Sequence, residues 1–441
     1  MGSVAVVGAS LAVLGPGKVV RDATIVVEDG VISGIGAGVK PPRGVERIDA
    51  GGKAVIPGLV NLHTHSTQVV IRGLLDRLPL AAWLRLSDSA YGILGRGDME
   101  AAALAFLLDG ALCGTTAFLD MERDVEAAAS AAARLGVRLF EAYAMVDTVE
   151  TGRSGLERLW SAEEEAARAR RLASRRWPGR VKLLYGPVGY PSSSFELIEE
   201  AVEAAREEGR RVHMHLAETP VNARLARLRG YRGELEELEA RGLLGPWLIA
   251  AHAVALDGYG VAALAKYGVS VAHCPSSNAK LGNGAAASWE LARSGVNVGL
   301  GTDGAGSGDS ASMLWEMRAA SLIQRAVSGE AWRVSAREAF AMATINGGRA
   351  LGERIGALRR GWAGDMVLLD LRDPSLWPPD RLVENLVFSA SCRAVDTVIV
   401  GGDLIVRDGL PVREELLSEA RRSLAEARRK VVEVLGGGEE W

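Results

Sequence analysis

The chain contains six histidines, His63, His65, His213, His215, His252 and His273, and all lie at or near the ends of apolar runs that read as strands. His63-Thr64-His65 follows Pro57-Gly58-Leu59-Val60-Asn61, and His213-Met214-His215 closes a second run, with Glu218 three residues on. Side chains at i and i+2 of a strand share a face, so each His-x-His pair can turn two imidazoles toward one ion. His252 and His273 end two further runs, and Gly301-Thr302-Asp303-Gly304 ends a last one. Asp303 there offers a carboxylate, although a turn or helix-cap aspartate is the plain alternative. Neutral imidazoles with a carboxylate suit zinc, and also iron(II) or manganese. An open position on such an ion holds a water whose pKa falls toward ~7. Glu218 would stand over the ion as a proton shuttle. His213 lies deeper than His215, and a structural and a functional reading both stay open for it.

Something must bring these segments together. Apolar runs recur near 58–65, 113–120, 137–145, 181–187, 211–217, 247–252, 269–274 and 296–303, with amphipathic stretches such as Phe195–Glu208 between them. Eight strands alternating with helices predict an α/β fold of the (β/α)8 barrel type, whose sites gather at the C-terminal strand ends. A doubly wound open sheet is the alternative, weakened by the lack of a G-x-G-x-x-G after a strand. Residues 1 to about 57 read as short strands with an Asp29-Gly30 hairpin turn, and 365–370, 395–400 and 403–409 have the same texture. The two ends are therefore expected to form one small composite β-domain, 1–57 plus 356–412, around a barrel over 58–355, with a surface helix in 413–441. Two separate β-modules are the other possibility.

The bulk numbers agree. With 441 residues, 48% hydrophobic, the chain can fill a barrel of ~250 residues and a second unit. A net charge of −4 argues against nucleic acid or an anionic membrane as the main partner. Cys113, Cys274 and Cys392 lie far apart with no C-x-x-C, so neither a disulfide framework nor a cysteine zinc site is expected, and a reducing cytoplasm is the simplest setting. The opening MGSVAVVGASLAVLGPG has no basic segment ahead of its apolar residues, so no secretory leader is expected, and no window is long enough to span a membrane. Seven lysines and two glutamines fit a heat-adapted protein, but the arginine bias also follows from a GC-rich genome.

The stretches PGLVNLHTH (57–65), RGLLDRLPLAAWL (72–84), VHMHLAET (212–219), AAHAV (250–254), VAHCPSSNAKLGNG (271–284) and GTDGAGSGDS (301–310) occur in that order. As a set they resemble the amidohydrolase superfamily, in the branch of aminohydrolases and chlorohydrolases. That resemblance implies that His63, His65, His215 and Asp303 bind one divalent metal, zinc first. Glu218 would protonate the substrate ring nitrogen and then the leaving amine. His252 would polarise the attacking water, and Asp303 would also serve as its base. His273 and Asn278 would support the substrate from the loop after the seventh strand. The carboxylated lysine of two-metal members has no counterpart, because Lys182 stands near the start of its strand. A homodimer or higher homo-oligomer is implied as well.

The expected reaction is hydrolytic deamination of an amino-substituted heterocycle. Dechlorination, or other C–N hydrolysis on a triazine or cyclic amide, is the second reading, and a retired scaffold that only binds is the third. Members acting on methylthioadenosine and adenosylhomocysteine carry a histidine where Val188 stands, an acid near Tyr91-Gly92 and an arginine near Tyr143. Without these, a free base, pterin or triazine is favoured over a nucleoside with an amino-acid tail. Gln68 would read an amide or ring nitrogen, and Trp83 would stack on the ring. A polar residue of the barrel mouth and a core tryptophan are the bland alternatives.

Overall fold

The structure, a computed structural model, describes residues 2–15, 17–151 and 155–435. Eight strands form a parallel sheet in strict sequence order, numbered here β1 (Leu59–Thr64), β2 (Thr115–Glu122), β3 (Arg138–Met145), β4 (Arg180–Pro187), β5 (Val212–Leu216), β6 (Leu248–His252), β7 (Ser270–His273) and β8 (Asn297–Leu300). Each stands where an apolar run was expected. Alternation separates their two faces: Ala117, Leu119 and Met121 join one core cluster with Leu62, Phe140 and Ile249, while Phe118 joins the cluster shared with the helices. Helices intervene as the pattern required. Phe195–Glu208 is capped by the Ser194 hydroxyl, ends at Gly209 in a left-handed conformation and buries Leu197, Ile198, Ala201, Val202 and Ala205.

Last strand meets first above the core. The Asn61 amide donates to the Thr302 hydroxyl (2.8 Å), and the Asp303 N–H donates to the His63 carbonyl (3.0 Å). Gly301 makes this possible, since a Cβ there would lie 2.7 Å from the Cβ of His63. The sheet thus rolls into a nearly closed (β/α)8 barrel, not a doubly wound open sheet.

Strands from the two chain ends share one nine-stranded sheet. Its join is antiparallel, with Lys53–Pro57 paired to Met366–Asp370 and Val55 opposite Leu368. Val6, Ile25, Val55, Met366, Leu368 and Ile399 pack into a single cluster, so neither end could bury its apolar face alone. The helix expected near the C-terminus runs over Glu415–Val434, while residues 436–441 lie outside the described residues. It buries the stripe Leu416, Ala420, Ala427 and Val431. From it Arg428 donates to the carbonyls of Val70 (2.8 Å) and Arg72 (2.7 Å), bracing the turn that follows His65.

Cys113 and Cys392 form a disulfide across 279 residues, which overturns the expectation drawn from their spacing. Cys113 ends the helix Arg96–Leu112 ahead of β2, and Cys392 lies after the helix Leu382–Phe388 on the way back to the end sheet. Only the tertiary return of the chain brings the pair together. Cys274 stays free and buried. The disulfide is expected to stabilise the fold by roughly 2–4 kcal/mol. Calorimetry should show a lower melting temperature for the wild type under reductant, and for Cys392→Ser a similarly low value that reductant no longer changes.

Candidate functional site

Hydrogen bonds to groups that can only accept fix the tautomer of each histidine in the site. His65 Nδ1–H donates to the Met121 carbonyl (2.8 Å), and His215 Nδ1–H donates to the Val188 carbonyl (2.6 Å). Both Nε2 atoms therefore carry lone pairs, and they face each other 3.2 Å apart with no proton to share. His63 is set in two steps. His213 Nδ1–H donates to the Ile249 carbonyl (3.0 Å), so His213 Nε2 accepts from His63 Nδ1–H (2.8 Å). That leaves His63 Nε2 buried without a hydrogen-bond partner, 3.4 Å from Asp303 Oδ1. His65 Nε2 lies 3.6 Å from the same oxygen.

Three imidazole lone pairs and a carboxylate oxygen thus converge at 3.2–3.6 Å where their nearest contacts are measured. A tetrahedral zinc with bonds of ~2.0–2.1 Å separates its ligand atoms by roughly 3.3 Å. The donor set fits such an ion: His63, His65 and Asp303 hold candidate ligand atoms within 4.8 Å of one another, as do His63, His215 and His252. Burial lowers the pKa of His63, His213 and His215, with His213 at about 3, so the rings stay neutral and able to ligate. Burial pushes the Asp303 carboxyl up, but its polar neighbours, His63 first among them, outweigh this, and the group stays below the usual carboxylate range. Its Oδ2 accepts from the hydroxyls of Ser277 (2.6 Å) and Ser307 (2.9 Å), and its Oδ1 from the Gly304 N–H (2.8 Å).

Glu218 and His252 stand together beside this set. Asn283 Nδ2–H donates to Glu218 Oε1 (2.9 Å), and Glu218 Oε2 lies 3.9 Å from His252 Nε2. His252 Nδ1–H donates to Asn278 Oδ1 (2.9 Å), which leaves its Nε2 free. Burial raises the Glu218 pKa. Buried Glu234 accepts from the Ala217 N–H (3.1 Å) and so holds the start of the Glu218 loop. The backbone is strained at these strand ends: Ala217 (φ 50°), His252 (φ 73°), Ala253 (φ 52°) and Asp303 (φ 57°) are all left-handed.

The residues considered for substrate contact separate. A cavity of about 800 Å³ reaches the site at His65 and is lined also by Gln68, Val188, Tyr91, Glu122 and Tyr143. Trp83 is not part of that lining. It is 3% exposed and donates its indole N–H to the Gly306 carbonyl (3.2 Å), as a core tryptophan does. Asn278 is engaged with His252. His273 is buried, both its ring nitrogens lack partners, and burial brings its pKa to about 4. Lys182 pairs with Glu353. Ser277, Ser307 and Asn283 lie inside the quoted motifs, yet no local pattern marks their partners. Glu122 had no signal at all, since an acid at the end of a strand is common.

A family profile described as "Amidohydrolase family" matches residues 54–405. The 5'-deoxyadenosine deaminase of Methanosarcina mazei is 33% identical over 417 residues, 92% of this chain and 94% of that protein. The 5-methylthioadenosine/S-adenosylhomocysteine deaminase of Moorella thermoacetica is 35% identical over 411 residues, 89% of this chain and 92% of the relative. Among solved structures, an adenosine deaminase from Xanthomonas campestris with bound zinc superposes with a TM-score of 0.88 at 26% identity, covering 97% of this chain and 99% of that one. An atrazine chlorohydrolase from Arthrobacter aurescens complexed with zinc gives 0.88 at 26% identity, over 96% and 100%.

The His213 relay leads to a measurable outcome. His213→Phe removes the acceptor of His63 Nδ1–H and should weaken metal binding ~10–100-fold. Chelator competition reads the affinity, and circular dichroism checks the fold. Unchanged affinity would mean that the His63 tautomer is fixed without His213.

Proposed function

The chain belongs to the amidohydrolase family, and we propose that it is a metal-dependent deaminase of an adenosine-type nucleoside. The observation that carries this reading is the convergence of the unprotonated Nε2 atoms of His63, His65 and His215 on Asp303, with Glu218 alongside. In this reading His63, His65, His215 and Asp303 hold one divalent ion, and the zinc in two solved neighbours supports that metal. When bound, the ion supplies the Lewis acidity that brings the pKa of water toward ~7.

The remaining work falls to side chains. Asp303, kept anionic, accepts the proton of the attacking water. His252, anchored at Nδ1 by Asn278, presents Nε2 to that water and orients it. Glu218 keeps its proton at higher pH than an ordinary glutamate because it is buried. It donates that proton to the ring nitrogen, which makes the ring carbon electrophilic, is recharged with the hydroxyl proton of the adduct and passes it to the departing amine, while the water proton held by Asp303 returns to Glu218 as the carbonyl product forms. Ammonia cannot leave as an anion, so the second donation is essential.

The nucleoside is preferred over the free base for two reasons. The cavity of about 800 Å³ is sized for a ligand larger than a bare ring, and the deaminases matched over nine-tenths of the chain are named for nucleosides. Val188 and Tyr143 at the cavity wall supply no charge for an amino-acid tail, which points to an uncharged 5' end. The chlorohydrolase neighbour keeps dechlorination as the second reading. No described helix is long and apolar enough to cross a membrane. A cytoplasmic homo-oligomer completes the proposal, and the disulfide suits it in a heat-adapted host, where intracellular disulfides are common.

Zinc-loaded enzyme should release ammonia from adenosine-type substrates, and Glu218→Gln should lower kcat ~10²–10⁴-fold. Chloride needs no proton to leave, so a variant that still dechlorinates a chlorotriazine at the wild-type rate would favour the second reading. The wild-type rate should fall as pH rises through the elevated Glu218 pKa, and this alkaline limb should be missing from the residual activity of Glu218→Gln.

A further inference from the structure

A second cavity, also of about 800 Å³, opens at the end of the barrel opposite the histidines. Lys182 near the start of β4, Arg211 just ahead of β5, and Pro246 and Trp247 just ahead of β6 line it. The C-terminal ends of the helices Ala162–Ala173, Phe195–Glu208 and Ile345–Leu351 complete its walls. Catalytic groups of such barrels gather at the other end, so a charge placed here needs a structural partner or another reason to be present.

Most of the cations have a partner. Lys182 pairs with Glu353, and Arg175 with Glu126. Arg210 pairs with Glu208 (2.7 Å) and donates to the carbonyls of Leu183 (2.9 Å) and Ala173 (2.8 Å), the second of which closes a helix end. Arg206 and Arg211 differ, since neither forms an ion pair among the described residues. Arg206 lays its guanidinium over the Trp247 ring, 4.8 Å from the ring centre. Arg211 donates once, to the Pro246 carbonyl. A guanidinium carries five N–H donors, so most of those on Arg211 have no protein acceptor. The group is half-buried, and burial pulls its pKa down, opposed only by Glu353, which is itself bonded to Lys182. A Cβ on Gly352 would lie 2.9 Å from Arg211 Nη2, so the glycine leaves the guanidinium its place.

These features select an anion. A partly desolvated guanidinium with one carbonyl bond is stabilised by a counter-charge, and its planar fork matches the oxygens of a phosphate two at a time. Arg206 rests on Trp247 and Arg211 on Pro246, so both charges flank one dipeptide and suit the double charge of a phosphate monoester. The cavity has room for more than an inorganic anion, and Phe140, Trp177 and Trp247 give it aromatic walls against which a ring can pack.

We propose that this basal cavity is a second binding site, which takes an aromatic phosphate monoester with its phosphate on Arg206 and Arg211 and its ring against the tryptophan wall. The site stands whether or not the chain is a deaminase, because none of its residues belongs to the candidate metal centre.

Calorimetry on zinc-loaded protein tests it with phenyl phosphate, and with inorganic phosphate, benzoate and phenol as partial ligands. Phenyl phosphate should bind at least ~10-fold tighter than any of the three. Arg211→Leu, which keeps bulk and removes the donors, and Arg206→Gln should each weaken it at least ~10-fold. Arg211→Lys should recover only part of the loss, because an ammonium lacks the fork. Circular dichroism checks the fold, and if Arg211→Leu fails that check, Arg206→Gln at its exposed helix position decides alone. Absence of phenyl phosphate binding, or binding unchanged in the folded arginine variants, as for an ester held on the zinc, would overturn the site. Benzoate bound as tightly as phenyl phosphate would overturn the choice of phosphate.

Discussion

Three imidazole Nε2 atoms, each left as a lone pair by the hydrogen bond on the far side of its ring, face one another. Carbonyl oxygens of Met121, Val188 and Ile249 accept the N–H groups on the far side of the rings, the last through His213. Each Nε2 therefore points inward as a lone pair, toward its neighbours and toward the Asp303 carboxylate. Without a cation this arrangement repels itself, and with one it is a preorganised ligand set. The rest of the molecule can be understood as the means of holding that arrangement.

The barrel does most of the holding. Asp303 lies just past the last strand and His63 on the first, so they meet only if the sheet closes. Asn61, Thr302 and the narrow contact allowed by Gly301 make that closure. The hydroxyls of Ser277, in the short helix after β7, and of Ser307, in the turn after Asp303, then fix the carboxylate. Further out, Arg428 ties the C-terminal helix to the turn after His65, and the Cys113–Cys392 disulfide links the lead-in to β2 with the return to the end sheet. Both ties join segments more than 250 residues apart. The left-handed residues at the ends of β5 and β6 show where the chain accepts local strain to aim Glu218 and His252.

Charge is distributed with similar economy. The arginines around the cavity mouth are matched by acids: Arg96 by Asp124 and Glu126, and Arg123 and Arg168 together by buried Glu165. Close to His65 the wall instead carries neutral or neutralised polar groups. The candidate metal ligands therefore border a cavity whose arginines are paired with acids. The same scaffold carries a deaminase and a chlorohydrolase among its solved neighbours, both with zinc, so the fold alone does not set the reaction.

The barrel and the candidate ligands were legible in the sequence because both rest on local signals. Alternating apolar runs define strands whatever they pair with, and His-x-His at a strand end places two side chains on one face. The order of the motifs carried the family. What distance in sequence concealed was pairing: Cys113 with Cys392, His63 with His213, Glu218 with Asn283, and Thr67 with Glu122. Trp83 shows the reverse case, a residue whose type suggested ring stacking but whose burial against Gly306 made it core. Residue type and periodicity determined which groups are present and at which strand ends. Only the closure of the barrel decided which of them touch, because hydrogen bonds, disulfides and burial depend on separations in space that no local pattern encodes.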